Sequence, residues 1–478
     1  MDLGDAKGHG NDHLLLRFSV IKWIAVLPFI AMFFLPYVVY GGNLEWTLIV
    51  SGEFIQEIVV PHGLILKALG LVFLWLLLVL LIAVPMVKVF KKLPASSPVS
   101  FSKHYNIFLL LVVVGFGVFI FHTIFIVSAV FENLLHQLSV VSYIALGMGI
   151  ALLRNPGDTS LAKLWLTGAL VMVLYVALTF VPLLFGKAYG AALTGIVVVG
   201  SLFVLRTGWR TNVLVIFIAS LLLLSAMTFK TAIRQEVLDG QQFQRIDLTS
   251  KTDGIDSREY KLGSIESTDV MGFIGKDIKP FAKFDQNSKY FVIDKNLTGE
   301  FVNYSLLRTF HRMNHLGMFT LAIHKTPAEE AYLGIGLYKS IFYSLIPRAL
   351  WSDKPTLNTT NNFGRTYGIL WPDDFVTSVN VDPLTEAWIA GGFKAVLATG
   401  VGVGIIFGLL YGWLVRGGNQ AIRYCFYIIL LVYMPAIESG LVGMMSGLLQ
   451  SVVVFFVLLV IPYLAISYIQ NKRVSVAG

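Results

Sequence analysis

Long apolar runs dominate this chain and restrict the folds that are open to it. Only 13% of its residues are charged, against about 25% in typical soluble domains. A helix needs roughly 20 apolar residues to cross a bilayer, and ten segments approach that length. They begin near Arg17, Ile65, Ile107, Leu135, Lys163, Ala191, Thr211, Ile389, Ala421 and Met445. The pattern predicts an all-α polytopic membrane protein with about ten transmembrane helices.

Lysine and arginine residues are concentrated in every second segment that connects these runs. The side of the membrane on which such basic segments lie is normally the cytoplasmic side. The basic set comprises Lys88, Lys91, Lys92, Lys103, Arg154, Lys163, Arg206, Arg210, Arg416, Arg423, Lys472 and Arg473. The alternate segments carry Glu45, Glu53, Glu57, Glu132 and Glu438 instead. We expect both termini to be cytoplasmic and the longest polar segment to be external.

The apolar runs divide the chain into three parts. Residues 1–229 form a predicted membrane domain of seven helices, residues 230–385 a large external loop, and residues 386–478 a membrane domain of three helices. The stretch from Lys230 to Thr385 holds 18 Lys+Arg and 18 Asp+Glu. Because that loop is neutral, the net charge of +8 reflects topology and argues against nucleic acid as a partner. Residues 235–300 include strand-like pieces such as Lys289–Asp294 and are read as a small ordered cap or a partly mobile excursion.

Several catalytic motifs are absent from the sequence. There is no glycine-rich loop ending in Lys-Ser/Thr, no HExxH and no external cysteine, since Cys425 lies in an apolar run. No pair of aspartates resembling DxD stands out on an early external loop. These absences favour a site that uses neither a metal nor a cofactor.

A row of basic residues marks the second half of the external loop. Arg308, His311, Arg312 and His315 recur at spacings of three to four, so they share one side of a predicted helix. Two arginines in such a row suit an anion, because guanidinium groups bind phosphate in a bidentate manner. An ordinary solvated helix face explains the same pattern.

The stretch that follows is predicted to meet the membrane surface. Ala331–Ile346 is apolar and rich in tyrosine but short for a span, so we expect it to lie in the outer interface or to dip in and return. Pro347 and Pro355 then restrict the backbone around Arg348 and Lys354. Both cations would be held at headgroup level, to bind a lipid-linked diphosphate or simply phospholipid headgroups.

Two further candidates complete this region. Arg365 follows in "NNFGRTYG", and Glu386 lies at the outer end of the eighth predicted span. A carboxylate there is a candidate general base, or an acid that complements a helix dipole. Gly391 and Gly392, just beyond it, would weaken the helix and allow another helix or a lipid chain to approach closely.

Three short motifs together resemble a known family. "IPRALWSDKP" (346–355), "NNFGRTYG" (361–368) and "TEAWIAGGF" (385–393) are similar to segments of the Wzy-type O-antigen or oligosaccharide repeat-unit polymerases. Ser352 stands where that family often has proline, Thr385 where it has glycine, and Ala390 where it has asparagine. At motif level the resemblance covers roughly residues 308–393.

The resemblance implies a specific activity. The protein would be a glycosyltransferase of the bacterial inner membrane that joins undecaprenyl-diphosphate-linked oligosaccharides into a surface polysaccharide. The diphosphate would be bound by Arg348, Arg312 and Arg308, with help from Lys354 and Arg365. The acceptor hydroxyl would be activated by Glu386 or His311. The implied partners are membrane lipids, chain-length regulators and flippases. An O-antigen-ligase-like transferase remains open, as does a non-enzymatic export or scaffold protein.

Overall fold

The computed structural model of this chain is predominantly helical. It describes residues 30–34, 36–37, 48–50, 54–56, 62–89, 104–126, 129–154, 156, 159–184, 189–205, 246–247, 282–285, 290–293, 315–346, 351, 354, 359–370, 379, 381–416, 420–433, 439–457 and 461. Predictions that fall on other positions, among them the spans beginning near Arg17 and Thr211, lie outside the described residues.

Eleven α-helices are present in the described part of the chain. They are α1 (His62–Val89), α2 (Tyr105–Ile124), α3 (Ala129–Arg154), α4 (Leu161–Leu184), α5 (Tyr189–Val204), α6 (His315–Lys325), α7 (Lys339–Ser344), α8 (Thr359–Thr366), α9 (Pro383–Arg416), α10 (Gln420–Tyr433) and α11 (Gly440–Phe455). A π-helical turn covers Ile30–Phe34, and a 3-10 turn at Ile335–Tyr338 leads into α7.

Short strands form three pairs beside the helices. They are β1 (Leu48–Val50), β2 (Phe54–Gln56), β3 (Phe125–Ile126), β4 (Ile246–Asp247), β5 (Ala282–Asp285) and β6 (Tyr290–Ile293). The β1–β2 and β5–β6 pairs are antiparallel, and β3–β4 is parallel. The strand predicted at Lys289–Asp294 is therefore present, as β6.

Five helical segments are long and apolar enough to cross a membrane, which is consistent with a membrane protein. These are His62–Val89, Tyr105–Ile124, Leu134–Arg154, Leu161–Leu183 and Pro383–Leu414. Gly190–Val204, Ala421–Tyr433 and Gly440–Phe455 are apolar but shorter. Each of the eight lies at or near a predicted span. The largest offsets, six residues each, are at the start of α9 (Pro383 rather than near Ile389) and of α3 (Ala129 rather than near Leu135).

The buried apolar residues form two cores. One joins α2, α3, α4, α5, α10 and α11, around side chains such as Phe108, Ile144 and Tyr427. The other joins α1, α6, α8 and the first half of α9, around Trp75 and Phe319. The second core is the one that positions the candidate site.

Helices α1 and α9 pack closely because glycines line their contact. A methyl group on Gly404 would lie 2.9 Å from the Val79 carbonyl oxygen, and one on Gly408 would lie 2.7 Å from that of Ala83. Small residues four positions apart permit such close backbone approach in membrane helices. Trp75 adds a hydrogen bond from Nε1 to Thr399 Oγ1 at 3.3 Å. This contact fixes α9, which carries Glu386.

Candidate functional site

Helix α9 begins where Asp382 caps it. Oδ1 of Asp382 accepts the backbone N–H groups of Leu384 at 2.9 Å and Thr385 at 3.0 Å, and Oδ2 accepts the Thr385 hydroxyl. Aspartate is a preferred N-cap because its side chain satisfies donors that the first turn leaves unpaired. Pro383 follows at the first helical position, which needs no donor. Asp382 is fully buried.

Glu386 lies one turn further along α9 and binds the beginning of α11. Its two oxygens accept the backbone N–H of Val442 at 3.2 and 3.3 Å. The side chain is only 2% exposed. The N-terminus of a helix stabilises an anion through unpaired N–H groups and the helix dipole. Glu386 therefore joins two helices that are far apart in sequence.

Gly440 makes room for this contact. Its φ of 79° lies in the left-handed region, and a Cβ at this position would overlap Oε2 of Glu386. Glycine alone adopts that conformation without steric cost. The close approach of the carboxylate to α11 thus depends on a residue with no side chain.

His315, the first residue of α6, lies against Asp382. Its Nδ1 is 3.7 Å from Asp382 Oδ2, which is beyond hydrogen-bond distance. Neither ring nitrogen has a hydrogen-bond partner among the described residues, although the side chain is 1% exposed. The ring packs against Phe33, with centroids 6.4 Å apart. A buried imidazole with both nitrogens unpaired is uncommon, since buried polar groups are normally satisfied.

Tyr338 ends the 3-10 turn and approaches Glu386 from a third element. Its hydroxyl is buried and has no hydrogen-bond partner within the part of the chain that the structure describes. Burial, and secondarily the negative charge of Glu386, raises the pKa of Tyr338 well above its usual value. The phenol is therefore neutral and can donate a hydrogen bond. We refer to His315, Tyr338, Asp382 and Glu386 as the polar cluster.

The polar cluster buries two carboxyl groups together with a phenol hydroxyl and an imidazole. Among the described residues, His315 is the only basic side chain within ion-pair distance of either carboxylate. Burying an unpaired carboxylate or an unsatisfied hydroxyl costs free energy, and ionisable groups in membrane segments are commonly functional. The arrangement can accept a proton and can orient a hydroxyl group through Tyr338 and His315.

Helix α9 is interrupted just beyond the cluster. Gly391 and Gly392 have non-helical conformations, and Gly392 has a φ of 62°. The Leu333 N–H donates to the Ile389 carbonyl at 2.9 Å. A Cβ on Gly392 would lie 2.5 Å from the Tyr332 hydroxyl oxygen. The group close to Gly392 is therefore the Tyr332 side chain, from the non-helical stretch that leads into α7, and not the helix or lipid chain that was predicted.

Two of the predicted diphosphate ligands make local hydrogen bonds. Lys354 Nζ donates to the carbonyls of Ser344 at 3.3 Å and Ile346 at 2.9 Å, where α7 ends. A cation there stabilises the C-terminal carbonyl groups of a helix. Arg365 donates from Nε to Asn361 Oδ1 at 3.0 Å and from Nη2 to Asn362 Oδ1 at 2.8 Å, within α8.

Four other predicted site residues, His311, Arg308, Arg312 and Arg348, lie outside the described residues. Of the predicted site, the structure describes Glu386, Lys354 and Arg365. Sequence reasoning missed Asp382 and Tyr338. The Asp-Pro pair at 382–383 carries a recognisable helix-start signal, whereas no local pattern identifies Tyr338.

A hydrogen-bonded network extends from α3 to Lys354. Gln137 Nε2 donates to Gln450 Oε1 at 3.0 Å, and Gln450 Nε2 donates to the Ser344 carbonyl that also accepts from Lys354. The Tyr433 hydroxyl donates to Gln137 Oε1. This network ties the end of α7 to the membrane helices.

No group of three or more His, Cys, Asp or Glu side chains in the described part of the chain is arranged to hold a metal ion.

Comparison with protein families finds one match, a domain of unknown function (DUF8712) at residues 284–420. That range contains α6 to α9 and every member of the polar cluster, but not α11. No curated protein and no solved structure matches this chain.

Proposed function

We propose that this protein is a membrane polymerase that joins undecaprenyl-diphosphate-linked oligosaccharide repeat units into a surface polysaccharide. The observation that carries the proposal is Glu386, a carboxylate that is 2% exposed at one end of a candidate span. It interacts electrostatically with Tyr338, whose hydroxyl is buried, and four residues before it Asp382 lies 3.7 Å from a buried imidazole. Buried ionisable groups of this kind are typical of sites that move protons.

The proposed topology has about ten spans, a large loop on the periplasmic side and both termini in the cytoplasm of a bacterium. The alternation of basic connecting segments in the sequence supports it. The reaction would then take place at the outer face of the inner membrane. Substrates would reach it already transferred across the bilayer, so no nucleotide sugar or cofactor would be required.

The proposed reaction transfers the growing glycan from its lipid diphosphate to a hydroxyl of the next unit. The acceptor oxygen forms a bond to the anomeric carbon of the donor, while the bond from that carbon to the diphosphate oxygen breaks. Glu386 or His311 receives the hydroxyl proton. Undecaprenyl diphosphate leaves as an anion. Its charge is stabilised by Arg348, Arg312 and Arg308, with help from Lys354 and Arg365.

The hydrogen bonds of Glu386 limit how it can act as a base. Each of its oxygens already accepts the Val442 N–H, but a carboxylate oxygen has a second lone pair. A hydroxyl that approaches from Tyr338 could therefore reach the carboxylate without displacing α11. The unpaired Tyr338 phenol would bind the acceptor sugar in that approach.

Two alternatives share parts of this account. An O-antigen-ligase-like transferase would use the same donor and a different lipid acceptor. A non-enzymatic export or scaffold protein would place the polar cluster in a structural role, for which the Glu386 contact with α11 offers some support.

A reaction with purified components separates the three. The protein is reconstituted in liposomes with undecaprenyl-diphosphate-linked repeat units, and products are separated by size. A ladder of glycans that differ by one repeat unit supports the polymerase. A single transfer to an added lipid acceptor, without a ladder, supports the ligase. No transfer with either acceptor overturns the enzymatic proposal.

A further inference from the structure

The exposed apolar side chains between α6 and α8 point to a second contact with the membrane, outside the spanning helices. Leu333 is 61%, Ile335 76% and Phe342 69% exposed. They belong to residues 331–346, which comprise an extended stretch, the 3-10 turn and α7. We call this stretch the surface segment.

Basic residues flank the apolar stretches of α1 and α9. Lys67 and Lys88 on α1 are exposed and 21 residues apart, and Lys394 and Arg416 on α9 are 22 apart. At about 1.5 Å per residue these spacings are ~32 and ~33 Å, close to the ~30 Å of a hydrocarbon core. Lysine side chains at such positions extend to the headgroups. Lys67, whose Nζ lies 5.4 Å from the ring centroid of Trp388, and Lys394 are therefore expected near one membrane boundary.

Hydrogen bonds hold both ends of the surface segment near that boundary. Leu333 bonds to the carbonyl of Ile389, five residues before Lys394. Ser344 accepts from Gln450, whose side chain also bonds to Gln137. Gln137 is three residues from the start of the candidate span Leu134–Arg154. The segment thus runs along the boundary rather than across the membrane.

The side chains of the surface segment divide between two environments. The Tyr338 hydroxyl is buried near Glu386, and Ser340 is 1% exposed. Ile335 and Phe342 are exposed on the same turns. An apolar face beside a polar, anchored face is the pattern of elements that lie in a bilayer interface. The exposed face is also continuous with α9, where Phe393 is exposed next to Lys394.

We propose that the surface segment is an interfacial membrane anchor, with Leu333, Ile335 and Phe342 inserted among the acyl chains of one leaflet. Its partner is the lipid bilayer rather than a soluble protein. Because the segment carries Tyr338 and contacts the break in α9, insertion holds the polar cluster at the membrane surface. The inference rests on the membrane fold and is independent of the proposed reaction.

Spin labels at single cysteines test the depth of the segment. Cys425 is the only cysteine, so a Cys425→Ala background allows labels at Ile335 and Phe342 in liposomes of phosphatidylcholine and phosphatidylglycerol. Val173 in the middle of α4 is an exposed lipid control, and the exposed residue Glu329 is a control outside the segment. Monodisperse elution in detergent verifies folding of each labelled variant.

Collision rates of the labels with oxygen and with a water-soluble nickel chelate decide the outcome. We expect labels at Ile335 and Phe342 to collide more with oxygen than with the chelate, as at Val173 but at smaller depth. Predominant collision with the chelate would show water at this face and overturn the proposal. Low collision with both reagents would show that protein covers the face, and would overturn it equally.

Discussion

The carboxylate of Glu386 accepts the backbone N–H of Val442 at 3.2 Å, across 56 residues of sequence. The contact joins the first turn of α9 to the first turn of α11. It makes Glu386 both a candidate base and a structural bond between two helices. Substitutions of different shape and charge separate these two roles.

Replacing Glu386 by alanine should destabilise the protein, because the backbone N–H of Val442 at the start of α11 loses its acceptor in a buried site. We expect a loss of about 1–3 kcal/mol in the free energy of unfolding. Glu386→Gln keeps an acceptor oxygen and should retain most of the stability, while losing the transfer activity if Glu386 is the base. Thermal unfolding in detergent, together with the transfer reaction, measures both effects. Full activity of Glu386→Gln would exclude Glu386 as the base.

Asp382 should matter chiefly as the cap of α9. Asp382→Ala removes the acceptor for the Leu384 and Thr385 N–H groups, and loss of such a cap costs about 0.5–2 kcal/mol. Asp382→Asn retains a capping oxygen and is the matched control. A stability of Asp382→Ala equal to that of Asp382→Asn, measured by thermal unfolding, would contradict this role.

Gly440 should not tolerate a side chain. Gly440→Ala places a Cβ against Glu386 Oε2 in a left-handed conformation, which costs about 1–2 kcal/mol for the backbone alone. The control is Gly402→Ala, because a Cβ on Gly402 in α9 meets no atom within 4 Å. We expect a lower melting temperature for the Gly440 variant only. Equal melting temperatures would show that α11 does not approach Glu386 so closely.

The unpaired hydroxyl of Tyr338 predicts a substitution that stabilises the fold and weakens function. Tyr338→Phe removes a buried polar atom with no partner, so stability should stay the same or increase. Transfer activity should fall if the phenol binds the acceptor sugar. Wild-type activity in Tyr338→Phe would remove the phenol from the proposed site.

Alkaline pH gives an independent test of Tyr338. Its pKa is raised in the folded state by burial and then by Glu386, so the folded state holds the proton more tightly than the unfolded chain, whose tyrosines titrate near pH 10. The contribution of Tyr338 to the free energy of unfolding is complete below about pH 10 and is lost as the pH rises through the pKa of Tyr338 in the folded state. Above pH 10 the wild type should lose stability faster than Tyr338→Phe, as unfolding curves at several pH values would show. Parallel curves would place Tyr338 in contact with solvent.

The positions of the membrane helices follow largely from local sequence, since apolar runs of sufficient length determine them. The start of α9 was expected near Ile389 but lies at Pro383, because the cap at Asp382 adds a polar first turn that hydropathy does not register. The break at Gly391–Gly392 agrees with the predicted weakness of the helix there. The local sequence therefore predicts the helices and the break in α9, because residues close together in the sequence cause these features.

The polar cluster could not be predicted in the same way. His315 is assigned by the sequence to a basic helix face, yet among the described residues it lies within ion-pair distance of Asp382, 67 positions away. Tyr338 approaches Glu386 only because the surface segment crosses the break in α9. Such contacts depend on how helices pack, and no periodicity in a single sequence records them. Lys354 also takes a local role at the end of α7 that its charge alone did not indicate.

The most direct test of the proposed polymerase is the stoichiometry of its leaving group. Purified protein in liposomes is given undecaprenyl-diphosphate-linked repeat units, and released undecaprenyl diphosphate is measured together with glycan length. The account predicts one undecaprenyl diphosphate released for each repeat unit joined, and loss of both signals in Arg348→Ala, with little recovery in Arg348→Lys. Release without glycan growth, or normal growth in Arg348→Ala, would contradict it.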